Sequence, residues 1–285
     1  MSLLNSKTIV ITGGSMGIGL AVAKKCVEEG ATIIITARNK KDLDAALLEL
    51  KLISAKNHNS YSLDVSNLEQ VYSFANWCKT NYTAISGIVN CAGVYGPIGR
   101  TTNVNMKEFA EAIQINFLGT VYMCHALAPL LNSTGRKKIV NYSGGGAASS
   151  FPNYSAYATS KIAIVRFTEN LALELADDEF DINCVAPGFV ITRLHQQTLD
   201  AGINKVGPNF YEGTRKQIDS GGVPPEKAAD LTAFLLSTKS DGITGKFISA
   251  PWDSWQNEEF QKLLRTDKDF ATLRRIDNKT FFKKT

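Results

Sequence analysis

The sequence is poor in the residues that build metal sites and disulfide frameworks. Its 285 residues include three histidines and five cysteines, and no pair of cysteines has the CxxC spacing of a metal or redox site. The cysteines are scattered and mostly lie in apolar company: Cys26, Cys78, Cys91, Cys124 and Cys184. We therefore expect reduced, buried thiols, as in a cytoplasmic protein, and no bound metal.

Long apolar runs and a strong net charge are also absent. No apolar run approaches the roughly 18 residues of a membrane span, and no signal-peptide pattern precedes the first strand-like run. The formal charge is +4, and segment 254–285, with eight basic and five acidic residues, supplies most of it. A nearly neutral body argues against a nucleic-acid-binding protein. We expect neither a membrane nor a nucleic acid among the partners.

What the sequence does contain is a regular alternation of short β-branched runs with longer amphipathic stretches. It predicts strands at 7–12, 31–37, 59–65, 86–93, 137–143, 180–186 and 245–250, and helices at 17–29, 42–51, 68–80, 106–131, 157–176 and 224–237. Such an alternation is typical of an α/β fold, a doubly wound, Rossmann-like parallel sheet with helices on both faces. Ligands of such sheets bind beyond the carboxyl ends of the strands.

A glycine-rich loop, TGGSMGIG at 12–19, joins the first predicted strand to the first helix. Glycines at this place let the backbone approach a pyrophosphate, whose charge is met by the free amides of the helix that follows. A tight turn without a ligand explains a lone glycine-rich loop equally well. The strand before it and the helix after it favour a nucleotide site.

Tyr157 and Lys161 lie four residues apart at the start of a predicted helix and therefore share one face. An ammonium beside a phenol favours the phenolate and lowers the pKa of the tyrosine. Such a pair can donate and accept a proton. Taken by itself, this spacing also occurs by chance.

Further motifs follow in an order that resembles the short-chain dehydrogenase/reductase family. The glycine loop resembles TGxxxGIG, YATSK at 157–161 resembles YxxxK, and similar likenesses are found for Asp64-Val65, NCAG at 90–93, Asn116 within INFLGT, and VAPGFVIT at 185–192. The resemblance covers residues 7 to about 192. It implies an NAD(P)-dependent oxidoreductase that interconverts a carbonyl and a secondary alcohol, acting on a small molecule as a homodimer or homotetramer.

The resemblance also implies roles for individual residues. Tyr157 would transfer the proton, Lys161 would bind the nicotinamide ribose and lower the Tyr157 pKa, and Asn116 would complete a proton relay beside a helix kink. The cofactor would be bound by residues of the matching motifs: Gly13, Ser15, Met16, Gly17, Ile18, Gly19, Arg38, Asp64, Val65, Asn90, Ala92, Gly93, Tyr157, Lys161, Pro187, Gly188, Val190 and Thr192.

The end of the second strand bears on the choice of cofactor. An acid there accepts from the ribose hydroxyls of NAD, whereas a cation accommodates the 2′-phosphate of NADP. This chain has Arg38 after Ala37, and a guanidinium suits phosphate, so NADP is favoured over NAD. Met16 stands where many NADP-dependent relatives have a second basic residue. Arg38 as a solvated surface charge remains the alternative.

The chain departs from the family at the serine that usually binds the substrate carbonyl. Gly144 stands at that position, thirteen residues before the tyrosine, and Ser143 precedes it. A shift of one residue in a strand turns a side chain to the opposite face, but the glycines at 144–146 could form a bulge that re-aims Ser143. We expect Ser143 to be the donor, with Ser149 or another donor, or no serine, as alternatives.

Two C-terminal stretches fall outside the motifs. Segment 193–223 is the least regular and is expected to be a lid over the substrate, and its many polar residues fit either a hydroxylated substrate or a solvent-facing surface. Residues 1–250 would form the Rossmann-like domain, and 251–285 a helical extension packed on the body or on a neighbouring subunit. Because of Gly144, a non-catalytic NADP-binding sensor or scaffold is the alternative to an enzyme.

Overall fold

A computed structural model describes residues 2–132 and 135–276. Within them, parallel strands form one sheet in the order β3-β2-β1-β4-β5-β6-β7. The strands are β1 (Thr8–Thr12), β2 (Thr32–Ala37), β3 (Asn59–Ser62), β4 (Gly87–Asn90), β5 (Lys137–Tyr142), β6 (Phe180–Ala186) and β7 (Phe247–Ser249). The sheet is flanked by helices, so the predicted doubly wound α/β fold is confirmed.

Helices cover both faces of the sheet. They are α1 (Gly17–Glu28), α2 (Lys40–Ile53), α3 (Leu68–Asn81), α4 (Met106–Ile113), α5 (Gly119–Leu127), α6 (Ser155–Glu174), α7 (Arg193–Ala201), α8 (Ile203–Val206), α9 (Pro208–Asp219), α10 (Pro225–Leu236) and α11 (Glu258–Thr266). Helices α1, α2 and α10 pack on one face and α3, α5 and α6 on the other. Asparagine side chains accept backbone N–H groups at the starts of α2, α3, α4 and α11, which explains where these helices begin.

The centre of the sheet is buried on both faces because strands such as β1 and β2 are continuous runs rich in β-branched residues. In β1, Ile9 and Ile11 point into the core beneath α1 and α10, and Val10 points into the core beneath α3 and α5. All three side chains are fully buried. This pattern is that of a central parallel strand rather than of a strand with one wet face.

The predicted helix over 106–131 is interrupted in the structure. A π-helical turn, Gln114–Leu118, separates α4 from α5, and a 3₁₀ turn, Ala128–Leu130, ends the stretch. Other boundaries also differ from the prediction by up to three residues, and two of these lie near candidate site residues. Strand β3 ends at Ser62, three residues before Val65, and α6 begins at Ser155, two residues before Tyr157.

Segment 193–223, predicted to be irregular, is largely helical. Thr192 and His195 form a capping box at the start of α7, and Pro208 occupies the first turn of α9. Gly202 and Gly207, both with positive φ, separate the three short helices. The segment is therefore a sequence of helices with glycine breaks.

The extension folds back onto its own chain as far as it is described; residues 277–285 of the predicted extension lie outside the described residues. Trp255 packs against Phe234 of α10, with ring centroids 5.5 Å apart. The Phe247 N–H of β7 donates to the Ala271 carbonyl at 2.8 Å. The Arg274 guanidinium contacts the Glu169 carboxylate of α6 at 3.0 Å. Along 2–132 and 135–276, no helix combines the length and apolar character needed to cross a membrane.

Candidate active site

A cavity of about 1320 Å³ opens at the carboxyl ends of the strands. The strand order reverses between β1 and β4, and the loops that follow β1, β2, β3, β4, β5 and β6 all contribute to the walls. This is the position where doubly wound sheets bind ligands. Helices α7 and α9 cover part of the cavity through Leu194, His195 and Phe210.

The glycine loop after β1 packs closely against neighbouring backbone and lines the cavity. A Cβ on Gly13, whose φ is +66°, would lie 2.9 Å from the Ala92 Cα, and one on Gly19 would lie 2.8 Å from the Gly13 carbonyl carbon. Helix α1 begins after Met16 with no side-chain cap and no acidic residue in its first turn. Its amides and positive dipole end are thus left for an anion. These features fit the pyrophosphate of a dinucleotide.

The far end of the cavity is built by residues that follow β2 and β3. Arg38 is exposed and lines the cavity together with Asp64 and Val65. Lys40 is instead paired with Asp44 at 3.0 Å, and neither Lys40 nor Lys41 lines the cavity. Of the three basic residues in segment 38–41, Arg38 is the one placed for a ligand.

Asn90 lies in the sheet and does not reach the cavity. It is buried, and its side-chain amide donates to the Asn141 Oδ1 of β5 at 2.9 Å. The cavity wall is formed by Ala92 and Gly93. The Cys91 and Ala92 N–H groups donate to the Thr12 hydroxyl at 3.0 and 3.1 Å. Asn90 therefore ties two strands together beneath the loop that lines the site.

Asn116 lies at the centre of the π-helical turn and is fully buried. Its Oδ1 accepts the Val94 N–H at 2.8 Å, and its Nδ2 donates to the Val94 carbonyl at 2.8 Å and to the Ser160 hydroxyl at 2.9 Å. Both side-chain hydrogens are thus used. The side chain fixes the loop after β4 against α6, and the Asn116 carbonyl accepts the Thr120 hydroxyl at 2.8 Å. π-Turns are often found at functional sites.

Tyr157 and Lys161 are both buried on α6, and Tyr157 lines the cavity. The Lys161 Nζ donates to the Tyr142 carbonyl at 3.0 Å and lies 5.5 Å from the centroid of the Tyr157 ring. The expected lowering of the Tyr157 pKa is corrected here, since burial raises the pKa of Tyr157 above its ordinary value. Burial likewise lowers the pKa of Lys161. The phenol is therefore protonated at neutral pH.

The structure does not bring the Ser143 hydroxyl to Tyr157. Ser143 is 2% exposed, does not line the cavity and donates weakly to the Lys161 carbonyl at 3.4 Å. Gly144 does line the cavity, and a Cβ there would lie 2.9 Å from the Tyr157 Cζ and closer still to its hydroxyl oxygen. The expected bulge is absent because Ser143 keeps its ladder bond, from its N–H to the Val185 carbonyl at 2.9 Å. Ser149 lines the cavity and is exposed.

An aromatic wall on the substrate side of Tyr157 was not predicted from the sequence. Tyr95 meets the Tyr157 ring edge-on, with centroids 4.8 Å apart, and Phe151 lies 6.4 Å from it. Phe189, Phe210 and Trp252 also line the cavity. These residues come from separate segments of the chain, so no local pattern joins them. The polar residues of 193–223 that suggested a hydroxylated substrate, Gln196, Gln197, Asn204, Asn209 and Arg215, lie outside the cavity.

The remaining predicted cofactor residues gather around the same cavity. Its walls include residues of the glycine loop and of the loop after β6: Gly13, Ser15, Met16, Gly17, Ile18, Gly19, Pro187, Gly188, Val190 and Thr192. Lys161 lies behind the wall, since a Cβ on Gly93 would be 3.4 Å from its Nζ. Within the described part of the chain, no three His, Cys, Asp or Glu side chains are grouped so that they could hold a metal ion.

Comparison with known proteins agrees with this geometry. The family model described as short chain dehydrogenase matches residues 7–201. The chain belongs to the short-chain dehydrogenase family. The match spans the glycine loop, Tyr157 and Lys161, so most of the residues that line the cavity lie within the matched part of the chain, whereas Phe210 and Trp252 lie outside it.

Individual relatives are moderately similar to this short-chain dehydrogenase. A 3alpha-hydroxysteroid dehydrogenase of Mediterraneibacter gnavus is 29% identical over 252 residues, covering 87% of this chain and 96% of the relative. The 3-oxoacyl-(acyl-carrier-protein) reductase FabG of Chlamydia trachomatis is 30% identical over 249 residues, covering 87% and 96%. A solved structure of NAD⁺-bound xylitol dehydrogenase superposes with a TM-score of 0.79 at 26% identity, covering 86% of this chain and 98% of that chain.

Proposed function

We propose that this short-chain dehydrogenase is an NADP-dependent reductase that converts a small-molecule ketone into a secondary alcohol. The observation that carries the proposal is the placement of Tyr157, a buried phenol, on the wall of a cavity whose other end is a glycine-rich loop that precedes a helix without a side-chain cap. A phenol that stays protonated at neutral pH can give its proton to a carbonyl oxygen. It needs deprotonation before it can take one from an alcohol.

Each of these residues would have a separate role in the reaction. The cofactor, when bound, supplies a hydride for the carbonyl carbon. Tyr157 donates its proton to the carbonyl oxygen, and a proton from solvent then restores the phenol, so that one C–H and one O–H bond form. Lys161 would bind the nicotinamide ribose. Asn116 holds the loop after β4 in place through both polar groups of Val94.

The dinucleotide would lie along the loops after β1, β2, β3, β4 and β6. Gly13, Gly17 and the first turn of α1 would hold the pyrophosphate, Asp64 and Val65 would face the adenine, and Thr192 would face the nicotinamide carboxamide. Arg38 supports NADP, because an exposed guanidinium on the cavity wall suits a 2′-phosphate. We expect Arg38→Ala to weaken NADPH binding and leave NADH binding unchanged, and Lys41→Ala, outside the cavity, to change neither.

The aromatic wall supports an apolar substrate with a single carbonyl as the point of polar contact. The names of two relatives indicate a hydroxysteroid and a 3-oxoacyl group on an acyl-carrier protein as their substrates. The panel that tests the proposal therefore contains cyclic and aromatic ketones, 3-oxoacyl thioesters and keto-sugars, with NADPH oxidation as the readout. Turnover that disappears in Tyr157→Phe, while NADPH binding is retained, supports the reductase. Tight NADPH binding without turnover on any of these substrates would favour the sensor or scaffold.

We also propose a cytoplasmic homodimer or homotetramer that uses α4, α5 and α6. The five thiols are free, and four of them are buried, which fits a reducing compartment. Ile162 and Leu173 of α6 are large apolar residues exposed on the single chain. Sedimentation of the purified protein gives the mass of the assembly.

A further inference from the structure

Because Gly144 stands where the family usually has a serine, the phenol of Tyr157 is the one donor that the family pattern still provides for the substrate carbonyl. Gly144 has no side chain, and Ser143 is turned toward the Lys161 carbonyl. A developing oxyanion is stabilised by hydrogen-bond donors that are already fixed in place, and loss of one such donor is costly. A second donor that is already held in place is therefore worth seeking on the other walls.

His195 is held in place from two sides. Its ring packs on Phe189 with centroids 3.9 Å apart and presents an edge contact to Tyr95 at 6.1 Å. Tyr95 also touches Tyr157, so one aromatic ring lies against both side chains. His195 and Tyr157 line the same cavity.

The hydrogen bonds of His195 determine which ring nitrogen carries the proton. The Thr192 N–H donates to the His195 Nδ1 at 3.4 Å in the capping box of α7. A nitrogen that accepts from a backbone N–H carries no hydrogen itself, so the neutral ring is protonated at Nε2. Burial lowers the pKa of His195 to about 4, which keeps the ring neutral at physiological pH. Both capping bonds of His195 are made by Nδ1, so neither of them occupies Nε2. Because His195 lines the cavity, Nε2 is available to a ligand bound there.

The helix that carries His195 is itself anchored over the site. Thr198, one turn further along α7, is fully buried and accepts the Tyr154 hydroxyl at 2.9 Å. Residues three apart share a helix face. Thr198 therefore holds the His195 face of α7 against the aromatic wall. Ser149, the other candidate donor, lies on an exposed loop without such support.

We propose that His195 donates a hydrogen bond from Nε2–H to the carbonyl oxygen of the substrate, beside the phenol of Tyr157, and so supplies the donor that Gly144 lacks. The inference rests on the proposed reductase function. Proton transfer stays with Tyr157, and His195 keeps its proton throughout. The substrate carbonyl would then be held between α6, which carries Tyr157, and α7, which carries His195.

Three substitutions separate the donor from the other contacts of His195. Gln retains both a capping acceptor and a donor that reaches the Nε2 position, Asn retains only the capping acceptor, and Phe retains only the ring that packs on Phe189. We expect kcat/KM to fall by less than about tenfold in His195→Gln and by about 10²–10³-fold in His195→Asn and His195→Phe. Gln197→Ala, on the same helix but outside the cavity, is the control and should match wild type.

The alternatives give different patterns. A purely capping role would leave both His195→Gln and His195→Asn active, and a purely packing role would leave His195→Phe active; either result overturns the proposal. Tyr157→Phe is measured alongside. If it is as active as wild type, the proposed function itself fails, whereas an inactive Tyr157→Phe with a fully active His195→Asn refutes only the role of His195.

A second readout does not depend on turnover. Long-range ¹H–¹⁵N spectra at pH 7 report the tautomer of each of the three histidines, and His195→Gln assigns the His195 signals by their loss. We expect the neutral ring protonated at Nε2. A ring protonated at Nδ1, or an imidazolium, would overturn the proposal even if no substrate had been found.

Discussion

Gly144→Ala tests the arrangement of Tyr157 most severely. Gly144 is not among the glycines with positive φ, so alanine meets no backbone penalty and the effect is steric. Its Cβ would lie 2.9 Å from the Tyr157 Cζ and 3.2 Å from Cε1, whereas carbon atoms pack at about 3.5–4.0 Å. The phenol must therefore retreat by about 1 Å. Tyr95 and Phe151 limit that movement, because both rings contact Tyr157.

The size of the effect follows from that displacement. Inserting one methyl group into a packed site costs about 1–3 kcal/mol, and a misplacement of about 1 Å at a reacting group lowers the rate about 10²-fold. We expect kcat/KM for ketone reduction to fall about 10²-fold, with the Kd for NADPH unchanged and the midpoint of thermal unfolding lowered. Gly144→Ser should behave in the same way, although it restores the residue usual in the family.

Gly145→Ala is the matched control. It lies next in the chain, also lacks a positive φ, and its Cβ would meet only the edge of the Phe151 ring at 3.2 Å. We expect it to stay within about threefold of wild-type kcat/KM, since the loss there is confined to a small side-chain shift. A fully active Gly144→Ala, or a Gly144→Ser that is faster than wild type, would refute the close approach of Tyr157 to Gly144.

Three further outcomes are expected. Ser143→Ala should leave kcat within about threefold of the wild-type value. The hydrogen bond of the Ser143 hydroxyl is weak, worth about 1 kcal/mol, and lies away from the cavity. A loss of about 10²-fold in steady-state assays would mean that the hydroxyl does reach the substrate. Asn116→Ala should lower the free energy of unfolding in urea by about 1–3 kcal/mol, since both polar groups of Val94 lose their partner; unchanged stability would contradict this. For His195, the native pKa of about 4 lies below the ordinary 6.5, so its contribution to stability is fully present above pH 6.5 and decreases as the pH falls toward 4. Wild type should therefore lose more stability than His195→Gln between pH 7 and pH 4.5 in urea titrations, and equal losses would contradict the lowered pKa.

Features of the sequence that are local could be predicted, and features that depend on distant packing could not. The glycine loop, Arg38 and the Tyr157–Lys161 spacing each lie within one strand–loop–helix unit, and all of them appear at the same edge of the sheet. The residue pattern of 106–131 predicts one continuous helix, and only the family resemblance implies a kink at Asn116; the π-helical turn found there is accompanied by contacts with Val94 and Ser160, which lie in other parts of the chain.

Ser143 and His195 both show how far local sequence patterns can predict the site. The glycines at 144–146 permit a bulge that would re-aim Ser143, yet pairing with Val185 of β6 keeps the strand regular up to that residue. The capping box of Thr192 and His195 is a local signal and could have been recognised, since threonine at the N-cap with an acceptor three residues later is a helix-start pattern. The position of His195 at the same cavity as Tyr157 could not be predicted from the sequence, because α7 and α6 are brought together only by the fold.

We propose that this short-chain dehydrogenase moves a hydride onto a carbonyl carbon while Tyr157 supplies the proton. The most direct test uses NADPH carrying deuterium at the transferable position of nicotinamide C4, with product analysed by mass spectrometry for each ketone and thioester of the panel. We predict an alcohol that contains one deuterium on its carbinol carbon with wild type, and none above background with Tyr157→Phe. Saturating NADPH binding without deuterated alcohol from any substrate, or equal label transfer by Tyr157→Phe, would contradict the account.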